Sequence, residues 1–67
     1  MVVHKEVIVT ATSGESWEDA AMNAVERTGK TVENLQWAVV QDLSIDLNSS
    51  DEPRYKTKVK IGFEVSE

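Results

Sequence analysis

Leu35-Gln36-Trp37-Ala38-Val39-Val40-Gln41-Asp42-Leu43-Ser44-Ile45 is the stretch whose reading decides the fold. Its odd positions, continued to Leu47, are apolar except for Gln41, and its even positions hold Gln36, Asp42, Ser44 and Asp46. A period of two is the mark of a half-buried strand, here from about Leu35 to Leu47. Such a strand exceeds the usual length of ~5–6 residues. A long strand with one polar interruption tends to bend or carry a bulge near it. Trp37 is the residue to follow, because its flat ring can either fill a core or stack on a planar ligand. Strict parity puts it on the face of Leu43 and Ile45, so only a bulge would turn the indole elsewhere.

Working outward, Val2 to Ala11 is rich in β-branched residues and reads as a first strand. Thr12-Ser13-Gly14-Glu15 has the composition of a turn. Ser16-Trp17-Glu18-Asp19 has the Ser-x-x-Asp form of a capping box, with acids where the helix dipole favours them. Trp17, Ala20, Ala21, Ala24, Val25 and Thr28 then follow helical spacing. Gly29 is placed to stop that helix in a left-handed conformation, and Thr31 to Asn34 reads as one extra turn capped by Thr31. Asn48 to Pro53 is an all-polar loop. A third strand, Arg54 to Val65, puts Tyr55, Thr57, Val59, Ile61, Phe63 and Val65 on one face, with Arg54, Lys56, Lys58, Lys60 and Glu64 on the other. The expected fold class is α+β: a single domain over residues 1–67, in the order β-α-β-β, with a three-stranded antiparallel sheet partly wrapped around one helix.

A chain of 67 residues buries only ~60% of its unfolded surface and is marginally stable alone. It has no Cys, so neither disulfides nor a Cys-based zinc site can help, and His4 alone makes no such site. One helix also cannot protect the edges of strands this long, and exposed edges invite pairing. Association between copies is therefore expected. Twelve acidic against seven basic residues give a net charge of −5, which argues against nucleic-acid binding and against an anionic membrane surface. Met1 to Glu6 is too short an apolar run for a signal peptide or a span, and a cytoplasmic location is expected.

No catalytic set stands out, and the chain is read as a non-enzyme. His4 has no nucleophile partner, and the serines at 13, 16, 49 and 50 read as caps and turns. Asp42, Asp46, Asp51 and Glu52 supply oxygens of the kind that suit Mg²⁺ or Ca²⁺, but their spacing is not that of an EF-hand loop and no metal is expected. Trp17 reads as helix–sheet packing. Lys56, Lys58 and Lys60 read as a solvated or salt-bridged row.

Three segments together resemble the dodecins: Thr12-Ser13 before Ser16-Trp17-Glu18, then Arg27-Thr28-Gly29-Lys30-Thr31-Val32-Glu33-Asn34-Leu35-Gln36-Trp37, and finally Tyr55-Lys56-Thr57-Lys58-Val59-Lys60-Ile61-Gly62-Phe63. The likeness covers nearly the whole chain. It implies a β-α-β-β protomer that assembles into a hollow dodecamer, a homo-oligomer that binds flavins as stacked pairs, stores or buffers them and quenches their photochemistry. By the same resemblance Trp37 would stack on the isoalloxazine ring, Asp42 matches an acidic position near the pocket in archaeal members, and Gln36 and Ala38 would offer backbone contacts.

Two positions depart from the family pattern. The family usually has Gln where this chain has Lys56. An amide can both donate to and accept from the polar edge of a flavin, whereas an ammonium only donates. The FMN-preferring members also have an Arg-Gly step where this chain reads Asp42-Leu43-Ser44, so no matching Arg is present to grip a phosphate. The cofactor implied is a flavin, riboflavin or a related one in preference to FMN. The alternative is a dodecin-like structural or metal-linked assembly that has lost flavin binding because Lys56 replaces the Gln.

Overall fold

In the computed structural model, which describes residues 1–48 and 52–65, the chain runs β1 (Val3–Ser13), α1 (Trp17–Gly29), β2 (Leu35–Asp46) and β3 (Arg54–Val65). The three strands form one antiparallel sheet in the order β1-β3-β2. The class and element order expected from the sequence are therefore observed. Residues 49–51, the middle of the expected polar loop and including Asp51, lie outside the described residues.

β1 extends two residues further than its composition suggests. Thr12 and Ser13 pair with Lys56 and Tyr55, and Ser13 is buried. Its hydroxyl donates to Asp19 at 2.6 Å and accepts from the Glu15 amide at 2.9 Å. The turn is thus confined to Gly14 and Glu15. Ser16 caps α1 by accepting from the Asp19 amide at 2.9 Å, as the motif predicts. The reciprocal half of the box differs, since the Asp19 carboxylate is taken by Ser13 and Asn23.

The end of α1 corrects the sequence reading. No glycine has positive φ, and Gly29 is the last helical residue rather than a left-handed stop. Lys30 caps in the right-handed region, and the amides of Lys30, Thr31 and Val32 bond back to Arg27 and Thr28. The Thr31 hydroxyl also donates to the Thr28 carbonyl, so Thr31 closes the first helix instead of starting a further turn. The left-handed residue is Asn34, with φ 64, a conformation that Asn tolerates better than most residues.

The small face of α1 lets it lie close against the sheet. Ala20, Ala24, Val59 and Ile61 form the buried core, and Val7, Val9, Ala11, Ala21, Val25 and Leu35 pack around it. Full burial of a side chain such as Val59 or Ile61 contributes about 1.5–3 kcal/mol. Trp17 pins the helix start. Its indole N–H donates to the Ser44 carbonyl at 3.0 Å, its own carbonyl accepts from Thr57 at 2.9 Å, and its ring meets Tyr55 edge-on. The molecule is 49 Å in its longest dimension, whereas a helix of 13 residues spans only about 20 Å. Much of the sheet is left bare, above all β2, where Val40 and Leu43 are more than half exposed.

Candidate functional site

Directly opposed residues of antiparallel strands share a face, so the register assigns the sides. Thr57, Val59 and Ile61 point to the helix. Lys56, Lys58, Lys60, Gly62 and Glu64 alternate with them and point away. β2 pairs Leu35 with Phe63 but Trp37 with Gly62, and Val40 with Val59 but Asp42 with Lys58. Gln36 and Gln41 are therefore extra residues, each at an irregularity in the register. The bulge near the polar interruption is where the sequence pattern places it; the one at Gln36 is additional. The one at Gln41 lifts Trp37 and Val39 off the face of Leu43 and Ile45, and the one at Gln36 returns Leu35 to the helix side. The helix-free face of β2 thus carries Trp37, Val39, Asp42, Ser44 and Asp46.

Trp37 is held by its surroundings. Just before it, the Asn34 carbonyl accepts from the Glu64 amide at 3.0 Å and from the Gln36 side-chain amide at 3.4 Å. The indole then lies across Gly62. A Cβ on that glycine would fall 2.1 Å from Cε2 and 2.2 Å from Cζ2, distances no side chain could occupy. Nearest to it are an atom of the ring fusion and its benzo neighbour, so the indole covers the glycine with its face. His4 of β1 stands at the far side, its ring centroid 4.9 Å from that of Trp37 and the planes inclined by 64°. Trp37 keeps 39% of its surface exposed.

The remaining expected site residues lie elsewhere. Ala38 opposes Ile61 and so faces the helix side, leaving only its backbone beside Trp37. Asp42 and Lys56 do come together, lining with Thr10, Ser44 and Lys58 a concavity of about 240 Å³ on the helix-free face. Lys56 opposes Thr12 and Ser44, and Lys58 opposes Asp42. Lys60 reaches Glu6 at 3.8 Å. Trp37 sits opposite Gly62, six residues along β3 from Lys56, or about 20 Å at the usual rise per residue. Among the described residues, no group of three or more His, Cys, Asp or Glu side chains could hold a metal ion.

Gly62 and His4 were not singled out as partners of Trp37 by the sequence reading. An isolated Gly within a strand pattern is itself a sign of close backbone approach. His4 carried no such signal, because its position depends on β1 lying next to β3.

A three-stranded sheet on one helix, with an indole laid over a glycine on its open face and left partly exposed, defines a small β-α-β-β protein. The family model for dodecin matches residues 3–66, and the chain belongs to the dodecin family. It is 31% identical over 65 residues to calcium dodecin of Mycobacterium tuberculosis, covering 97% of this chain and 92% of that one. It is 29% identical over 65 residues to dodecin of Thermus thermophilus, covering 97% and 94%. A crystal structure of a T. thermophilus dodecin mutant superposes with a TM-score of 0.89 at 28% identity, covering 100% of both chains. Among the described residues no helix is long and apolar enough to cross a membrane.

Proposed function

We propose that the chain is a flavin-binding storage and photoprotection protein, not an enzyme, that sequesters stacked flavins between Trp37 side chains of neighbouring copies in a hollow cytoplasmic dodecamer. The observation that carries this reading is the seat of Trp37. One face of the indole is spent on Gly62, where nothing but glycine leaves room, and the rest of the ring remains open on the helix-free face. A core tryptophan would be enclosed, whereas a docking surface needs a fixed plane with an open side.

The separation of Trp37 from Lys56 supports an assembly. A ligand stacked on one protomer's Trp37 would meet Lys56 on another copy, where the two can be brought closer than the six residues that part them along β3. The bare apolar flank of β2, with Val40, Leu43 and Ile45 exposed, supplies surface for such contacts. Lys56 can donate to a flavin carbonyl but not accept from the ring N–H, so that N–H would be met by another acceptor, for which Asp42 and Ser44 are the neighbours in the concavity. With no arginine at the Asp42-Leu43-Ser44 step where the FMN-preferring members carry one, riboflavin or a related flavin is preferred to FMN.

A second reading keeps the assembly and removes the flavin. The donor-only Lys56 favours it, as does similarity to a relative named calcium dodecin. Asp42 and Asp46 share the helix-free face, and a calcium ion, which takes six to eight oxygens, would need carboxylates from several copies. Native mass spectrometry of the protein with riboflavin, with FMN, with calcium and with no addition separates the readings. Riboflavin bound to a twelve-subunit species supports the first. Calcium uptake without flavin, together with flavin binding gained by Lys56→Gln, would replace it with the second.

A further inference from the structure

We infer that His4 is a positioning residue for Trp37, and that a proton on its imidazole weakens the stacking of a flavin on that indole. The inference rests on the flavin reading above and goes beyond it, since it names the group that sets the plane and donor strength of the docking surface. Trp37 reaches from β2 over Gly62 of β3, and its ring ends against His4 of β1 in an inclined contact, with centroids 4.9 Å apart. Gly62 fixes the height of the indole above the sheet. His4 limits its rotation in the remaining direction. Without His4 the ring would keep its floor and lose its stop.

The chemistry of the contact gives the sign. An imidazolium at the side of an indole polarises the ring's π-density toward itself through its charge, at a centroid distance of 4.9 Å. A stacked isoalloxazine is electron-poor and draws on the same density, so protonation of His4 competes with the flavin. Histidine is the side chain that ordinarily changes charge between about pH 5 and 8. The other ionisable groups facing His4 are Glu64, directly opposite on β3, and Glu6, next on the same face of β1 and paired with Lys60 of β3. On β2 the first such group beyond Trp37 and Val39 is Asp42. The amino terminus lies three residues before His4. All of these remain in a His4→Phe variant, which keeps an aromatic ring at the contact and removes only the basic nitrogen.

The test is a riboflavin fluorescence-quenching titration of the assembled protein at about pH 8 and about pH 5.5. The parent should bind about two- to fivefold more weakly at the lower pH, the order of an electrostatic effect at about 4–5 Å in well-solvated surroundings. His4→Phe should keep the higher-pH affinity and lose the pH dependence. His4→Ala should be weaker at both pH values. A pH slope that persists in His4→Phe, or parental affinity in His4→Ala at the higher pH, overturns the inference. Ligand-free indole emission separates this from failure of the flavin reading. An imidazolium in contact quenches an excited indole, so emission should dim on acidification in the parent and not in His4→Phe. If that difference is seen while no riboflavin binds, the flavin reading fails and the contact stands; if it is absent, the contact itself is wrong.

Discussion

Trp17 and Trp37 belong to the two faces of one sheet and are held in opposite ways. Trp17 is tied at three points: its N–H to Ser44, its carbonyl to Thr57 and its ring edge to Tyr55. These ties join α1 to β2 and β3 and close the end of the core. Trp37 has a floor at Gly62 and a side wall at His4, and it stays open above. The first arrangement resists any movement of the ring. The second fixes an orientation while leaving a surface unused by the protomer. Two residues of the same type therefore divide into a structural tie and a partly open plane, and the division lies in what surrounds each ring rather than in the ring.

The largest expected effect is an exchange of phenotypes between the two. Trp17→Ala should lower unfolding stability by about 3 kcal/mol, near the bottom of the range for truncating a packed tryptophan because Trp17 is only half-buried. Trp37→Ala should lower it by much less and remove flavin quenching altogether. Urea unfolding and riboflavin titration of both variants test this. A Trp17→Ala variant as stable as the parent would contradict its role as a tie. Next in size is Gly62→Ala. The added Cβ cannot share space with the indole, so the ring must swing off its floor. Riboflavin affinity should fall about tenfold, equivalent to roughly 1.4 kcal/mol, with a smaller change in urea midpoint. Unchanged affinity would show that the plane of Trp37 is not set by Gly62.

The sequence carried much of this division but not all of it. Alternation and helical spacing were enough for β-α-β-β, because local period and the burial of one face agree in every element. The third strand's limits and the polar interruption at Gln41 were legible for the same reason. The face of Trp37 was not. It depends on whether the interruption at Gln41 is an actual extra residue in the register, which only pairing with β3 decides, while the second irregularity at Gln36, beside a left-handed Asn34 bonded to the Glu64 amide, returns Leu35 to the helix side. Gly29 looked like the left-handed residue, yet Asn34 took that role once the helix was closed by backbone bonds from Lys30, Thr31 and Val32. The spacing of the expected site residues was not legible for a related reason. Family likeness points to Trp37 and Lys56 together, and only the register shows them six residues apart along β3 within one chain.

A smaller effect should come from Thr57→Val. Thr57 is fully buried, and its hydroxyl donates to the Trp17 carbonyl. Valine fills the same volume and removes only the hydrogen bond. The carbonyl retains the ordinary helical bond from four residues on, so no buried acceptor is orphaned. The loss should be about 1 kcal/mol in urea unfolding, with flavin affinity unchanged because nothing on the helix-free face moves. A change in flavin quenching would mean that the two tryptophans are coupled through β3.

The smallest effect tests the helix-free face itself. Lys60 and Glu6 pair across β3 and β1 at 3.8 Å, with side chains about a third and almost half exposed. Such a pair contributes little, because water screens it and two flexible side chains must be ordered to form it. Glu6→Gln should change stability by less than about 0.5 kcal/mol, and the difference should vanish at high salt, where the screening length shrinks to about 3 Å. The position still has interpretive value, because Glu6 lies opposite Gly62 under the same indole that His4 abuts. If Glu6→Gln left stability alone but shifted riboflavin affinity, the charge beside Trp37 would be acting on the ligand and not on the sheet. If it altered neither, the open face of Trp37 would be governed by its floor and its wall alone, and the lysine row would count as solvated surface.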